Sequence, residues 1–152
     1  MSAEVRFKFA AKAMGTAVSV HIADVVPQET ADDAWESVGV FLRDIEDRFS
    51  TFLQTSEISR INNGELHMLD ASPDVVEVLD ACTWLEHLSN GVFNARRPDG
   101  SIDPAGFVKG WAAERAARLL AEAGLQNFYL RIGGDIQTHG VQATGEKWRV
   151  GI

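Results

Sequence analysis

Asp103, Gly106, Lys109 and Gly110 recur every three or four residues, a spacing that gathers them on the first turns of one helix. Glycine inside a helix costs about 1 kcal/mol relative to alanine, so two glycines four residues apart need a reason. Gly106, Gly110, Ala113 and Ala117 form a face of small residues, with Lys109 beside it. Such a face suits either close approach of a ligand or tight packing against another element, and the helix alone does not separate the two. The free N–H groups and dipole of a helix start suit an anion such as a diphosphate. Lys109 is within reach of the same anion. Asp103, the cap residue by position, would oppose a phosphate, and a divalent cation such as Mg²⁺ would resolve that conflict.

Two further segments carry polar chemistry. Ile132-Gly133-Gly134-Asp135-Ile136 follows an alternating run, and its glycines fit a hairpin turn. Taken alone it is a weak signal for anything more. Ser50-Thr51-Phe52 leads into Ser56-Glu57-Ile58-Ser59-Arg60-Ile61-Asn62, where Ser56 and Ser59 have the spacing of a local cap. Phe52, if exposed, could stack on a ring, although aromatic residues are more often core. His21, His67, His87 and His139 form no metal-spaced pair, and His87 reads as a surface position. There is no nucleophile elbow and no phosphate-loop signature. Cys82 is the single cysteine, which excludes an intramolecular disulfide and a cysteine-rich metal cage. It reads as a small apolar residue inside a helix.

These residues need elements to hold them. Val5, Phe7 and Phe9 alternate with polar residues, as do Val18, Val20 and Ile22, and Met14-Gly15-Thr16 lies between the two runs. From Glu29 to Phe49 the period lengthens, and Trp35, Val38, Leu42, Ile45 and Phe49 mark one helical face. Ser72-Pro73 opens a second helix with inner residues Val75, Leu79, Cys82 and Leu85, and Gly91 stops it. A third runs from Asp103-Pro104 to about Ala123, closed by Gly124. Its apolar face reads Val108, Trp111, Ala112, Ala116, Leu119 and Ala123. Phe128, Leu130 and Ile132 predict a strand, and so does the closing run Trp148-Arg149-Val150-Gly151-Ile152. The class is α+β, an antiparallel sheet with packed helices, in a single domain over residues 1–152. A sequence that stops inside a strand predicts a domain truncated at its C-terminus.

The 152 residues are 45% hydrophobic and 24% charged, proportions of a globular domain with a core. A net charge of −8 argues against nucleic acid as a partner, since a phosphate backbone rewards basic surfaces. It leaves a nucleotide-sized ligand open. The first residues carry no apolar signal region, and no stretch is long enough to span a bilayer, so the cytoplasm is the default location.

Taken in order, these segments resemble the FAD:protein FMN transferases, the ApbE-like flavin transferases. The matching runs are Met14-Gly15-Thr16, Ser50-Thr51-Phe52 through Asn62, and Ser89-Asn90-Gly91-Val92-Phe93-Asn94. Asp103-Pro104-Ala105-Gly106-Phe107-Val108-Lys109-Gly110-Trp111-Ala112, Gly133-Gly134-Asp135 and Trp148 to Ile152 complete the series. Each run is weak alone, but their order across the whole chain is specific. The spelling Lys109-Gly110-Trp111 is similar to that of the shorter actinobacterial members. The resemblance implies a tunnelling-fold-like architecture and an FAD site. Met14 would line the flavin pocket and Phe52 would stand where the family has Tyr or Trp. Val92, Phe93 and Asn94 would touch FAD, as would Asp103 and Lys109, and Gly133, Gly134 and Asp135 would form a turn near it. Gly106 would offer its backbone carbonyl to Mg²⁺. Asn94 departs from the family's usual Asp, which removes any role there that needs a charge. The family's later region, with an Asp and a Thr that complete the Mg²⁺ site, is absent from the chain.

The implied reaction transfers FMN from FAD to a threonine hydroxyl of an acceptor flavoprotein, with Mg²⁺ and release of AMP. No residue of the chain is assigned as general base. Two rivals remain at this point: an FAD pyrophosphatase on the same scaffold, with water in place of the threonine, and a non-catalytic flavin-binding module.

Overall fold

The computed structural model describes residues 6–151. Val5 and Ile152, each the end of an expected strand, lie outside the described residues. The chain divides into two compact units. The sheet unit comprises the chain up to Arg43 and from Gly110 on, and the helical unit is Asp44–Lys109.

The sheet unit begins with strands β1 (Phe7–Ala13) and β2 (Thr16–Ile22) and ends with β3 (Phe128–Ile132) and β4 (Asp135–His139). They form one antiparallel sheet in the order β1-β2-β3-β4. Alternation decides which face is buried. Val18 pairs with Ile132, Val20 with Leu130 and Ile22 with Phe128, and all six are buried. Phe7 and Phe9 extend this apolar face across β1. Two helices supply the layer that covers it. From α1 (Gln28–Phe49) come Ala31, Ala34, Val38 and Leu42, and from α4 (Ala105–Glu122) come Ala112, Ala113, Ala116 and Leu120. Trp35 stacks on Phe9 with ring centroids 5.6 Å apart. The small residues of α4 thus let its backbone lie close to the sheet.

The buried face of α4 is rotated from the sequence expectation. Ala113, expected among the small residues opposite the core, is fully buried, whereas Leu119 is half-buried and Ala123 exposed. The buried positions 112, 113, 116 and 120 keep helical spacing, so Leu120 fills the core and Leu119 falls on the flank.

The closing strand is also corrected. Trp148, Arg149, Val150 and Gly151 are not in a strand. Val141 bridges Lys147 around a short turn. Beyond it the Trp148 indole donates to the His139 carbonyl at 3.1 Å and packs on Tyr129. A side-chain anchor thus holds Trp148, and the apolar alternation that followed it has no neighbouring strand to pair with among the described residues.

In the helical unit, α2 (Glu57–Asn62) and α3 (Pro73–Leu88) follow the end of α1. Its buried residues include Ile45, Ile58, Val75, Val78, Leu79 and Ile102. Cys82 is buried with them, and burial pushes its thiol up to about 11. One polar network ties three helix ends together. Glu57 accepts from both the amide and the hydroxyl of Ser72, at 2.6 and 2.7 Å. Arg48 donates to Ser72 Oγ at 3.1 Å and pairs with Asp44 and Asp74 at 2.7 and 3.0 Å. Burial would pull the Arg48 guanidinium down, but its bonds to the two carboxylates outweigh this and raise it.

Candidate functional site

The expected site residues fall into two groups, one in each unit. In the sheet unit, Met14 and Gly15 are the two central residues of the β1–β2 hairpin, with φ of 55° and 70°. Two left-handed residues in succession match the twist of the flanking strands, and glycine meets the second at no steric cost. Gly133 and Gly134 form the equally short turn between β3 and β4, as their spelling predicted. The two turns touch: Gly133 N donates to Ala17 O at 2.9 Å, and a Cβ at Gly133 would lie 3.0 Å from Thr16 Oγ1. Asp135 opens β4, and a Cβ on Gly110 would lie 3.6 Å from its Oδ1. Met14, Gly110, Gly133, Gly134 and Asp135 are therefore neighbours through these turns.

The helical unit holds the second group. Asp103 precedes α4 and is held at three points. Its amide donates to Ala95 O at 2.7 Å, Oδ1 accepts from Ala105 N at 3.1 Å, and Oδ2 accepts from Arg97 Nη2 at 2.8 Å. The same Arg97 Nη2 reaches Thr51 Oγ1 at 3.4 Å. Arg97 is the residue that sequence reasoning missed. Its signal was present in Arg96-Arg97-Pro98-Asp99-Gly100, a turn spelling whose return strand carries Asp103.

Gly106 is exposed, and the nearest atom to a Cβ there would be Phe93 Cε2 at 3.7 Å. That is ordinary contact, so packing of the described residues does not demand glycine at 106. Phe93 is half-buried, its amide donating to Ser89 Oγ at 2.9 Å. Asn94 is exposed and its Oδ1 accepts from Arg96 N at 2.8 Å, a role an aspartate would also fill. Val92 and Phe52 are 90% and 94% exposed, which leaves the valine methyls and the phenylalanine ring open to solvent. Lys109 is half-buried. A small cleft of about 50 Å³, lined by Leu79, Cys82, Glu86 and Arg96, includes Asn94 but none of the other expected residues. Among the described residues no three His, Cys, Asp or Glu side chains cluster as a metal site. The cap spacing of Ser56 and Ser59 falls at the start of α2, a helix the sequence did not announce: Ser56 Oγ accepts from Ser59 N at 3.1 Å.

A family model for the ApbE family matches residues 14–96 and 94–152. The chain belongs to that family. A curated FAD:protein FMN transferase from Vibrio cholerae is 33% identical over 91 residues, which cover 55% of this chain and 27% of that protein. Another, from Haemophilus influenzae, is 21% identical over 93% of this chain and 56% of its own length. Among solved structures, the flavin transferase ApbE from Vibrio cholerae superposes with a TM-score of 0.81 at 20% identity, over 96% of this chain and 63% of its own. The apo flavinyl transferase ApbE of Pseudomonas stutzeri gives 0.82 at 18% identity, over 96% and 61%. The fold is theirs, and the chain spans only part of the length of each relative. No helix among the described residues is long and apolar enough to cross a membrane.

Proposed function

We propose that this chain is part of an FAD:protein FMN transferase, which moves FMN from FAD onto a threonine hydroxyl of an acceptor flavoprotein and releases AMP. The observation that carries the reading is the family match from residue 14 to residue 152, which takes in every expected site residue. In the reaction, the threonine oxygen forms a bond to the phosphorus next to riboflavin. The bond from that phosphorus to the bridging oxygen breaks, and AMP leaves with the electron pair. Positioning and charge neutralisation do most of such catalysis. Met14 and Phe52 would hold the flavin, with Val92, Phe93 and Asn94 as further contacts. Lys109 would neutralise the diphosphate, beside Asp103. Gly133, Gly134 and Asp135 would bring backbone close to the ligand without bulk. The hydroxyl proton has no assigned acceptor among these residues.

Mg²⁺ is part of the proposal, since it would withdraw charge from the diphosphate. The described residues fit it only in part. Gly106 can offer one carbonyl oxygen, while both Asp103 oxygens already accept hydrogen bonds. These residues alone do not complete an octahedral shell of oxygens.

The test is incubation with FAD, Mg²⁺ and an acceptor protein carrying the target threonine, followed by a denaturing gel read for flavin fluorescence. Fluorescence on the acceptor, lost when its threonine is changed to alanine, supports the transferase. FMN and AMP formed without acceptor, and no labelled protein with it, would instead indicate an FAD pyrophosphatase.

A further inference from the structure

Asp103 raises a problem that the geometry answers. Left uncompensated, a carboxylate at the start of the helix that carries Lys109 would repel the diphosphate that Lys109 is proposed to attract. Arg97 Nη2 lies 2.8 Å from Asp103 Oδ2. Its aim is fixed by a tight hairpin: Arg97 N donates to Ser101 O at 2.8 Å, Gly100 N donates back to Arg97 O at 2.9 Å, and Arg96 bridges Ile102. Asp99 Oδ1 locks the turn by accepting from Ser101 N and Oγ, at 2.9 and 2.6 Å. Thr51 then touches the same guanidinium nitrogen from a distant part of the sequence. The side chains of Arg97 and Asp103 are 44% and 30% exposed, and pairs this open to water contribute little to folding. So much local structure for a pair of such small stabilising value calls for another reason.

Resting on the flavin-transferase reading, we infer that Arg97 is a positioning residue of the FAD site, which neutralises Asp103 and holds its carboxylate away from the diphosphate. Arg97 does this through Asp103. The ligand then meets a neutral pair and the Lys109 cation.

The experiment is fluorescence titration of FAD and riboflavin in EDTA at fixed ionic strength. The proteins are the parent, Arg97→Gln, Arg97→Lys, Asp103→Asn and the double variant R97Q/D103N. Arg97→Gln should weaken FAD roughly tenfold, the scale of one charge-assisted interaction, and leave riboflavin within about twofold. Arg97→Lys should retain most of the affinity. The double variant should bind FAD better than Arg97→Gln alone, because the stranded charge is gone. Thermal unfolding without ligand should differ by only a few degrees among them. If the parent binds FAD and Arg97→Gln binds it equally well, the inference is overturned and the function stands. If the double variant is no better than Arg97→Gln, Arg97 does not act through Asp103 and the inference is again overturned. A parent that binds FAD neither in EDTA nor with Mg²⁺ added overturns the proposed function, and this inference with it.

Discussion

Gly106 and Asp24 show how differently single residues can matter. At Gly106 a Cβ meets nothing closer than 3.7 Å, and the backbone is not left-handed. Gly106→Val should therefore change folding stability by less than about 1 kcal/mol, since valine is the better helix residue. If cofactor approaches this face, the isopropyl group crowds it, and FAD affinity should fall tenfold or more (about 1.4 kcal/mol). Thermal unfolding without ligand, run beside FAD titration, checks both halves. A variant that unfolds early yet binds FAD normally when folded would remove the cofactor from this face. Asp24 is the opposite case, a buried carboxylate with a purely structural task. It accepts from Gln126 N at 2.8 Å and Asn127 N at 2.9 Å, and so pins the approach to β3 against the end of β2. Asp24→Ala strands two amides, and denaturant titration should show a loss of about 2–4 kcal/mol. Asp24→Asn keeps one good acceptor and should lose less.

Among the elements, α2 depends most on a single side chain. It has only six residues, too few to hold a helix by propensity. Ser56 is fully buried at its N-cap, accepts from Ser59 N and donates to Ser50 O at 2.6 Å. Ser56→Ala removes the cap and leaves that carbonyl only the longer bond from Ser59 Oγ at 3.3 Å. The expected cost is about 1–2 kcal/mol by denaturant titration, with faster amide exchange at Ser59 as the local sign. The sequence showed this cap, but one turn of helix has too few apolar positions to display a period, so α2 itself was not legible. β4 was missed for a related reason. Its residues Gln137, Thr138 and His139 carry no alternation, and the strand is held by register with β3 through the Gly133-Gly134 turn. The long helices and β1 to β3 were legible because each buries one face of a regular period. The candidate site residues were named from their motifs, while Arg97 was not, because its bond to Asp103 depends on a hairpin that only the folded backbone reveals.

At the scale of the whole molecule, pH should act on the two units through different groups. On the sheet, His21 lies between Lys8 and Tyr129, and its pKa is lowered, first by desolvation and then by the Lys8 charge. The unfolded chain takes up that proton near 6.5 and the folded chain resists it. Stability from this group is thus complete above about 6.5 and declines as pH falls below it. In the helical unit, burial lifts the Cys82 thiol from its ordinary 9.0 to about 11. The unfolded chain ionises first, so this contribution is complete below about 9 and is lost as pH rises toward 11. Melting temperature against pH should show a plateau between these limits, with a decline on each side. His21→Gln should flatten the first part of the acid decline and leave the alkaline side alone. Cys82→Ala should do the reverse, judged by slope because the smaller side chain also costs packing. If both variants keep the parent's two slopes, the declines belong to other groups, and the burial of His21 and Cys82 does not control the pH response.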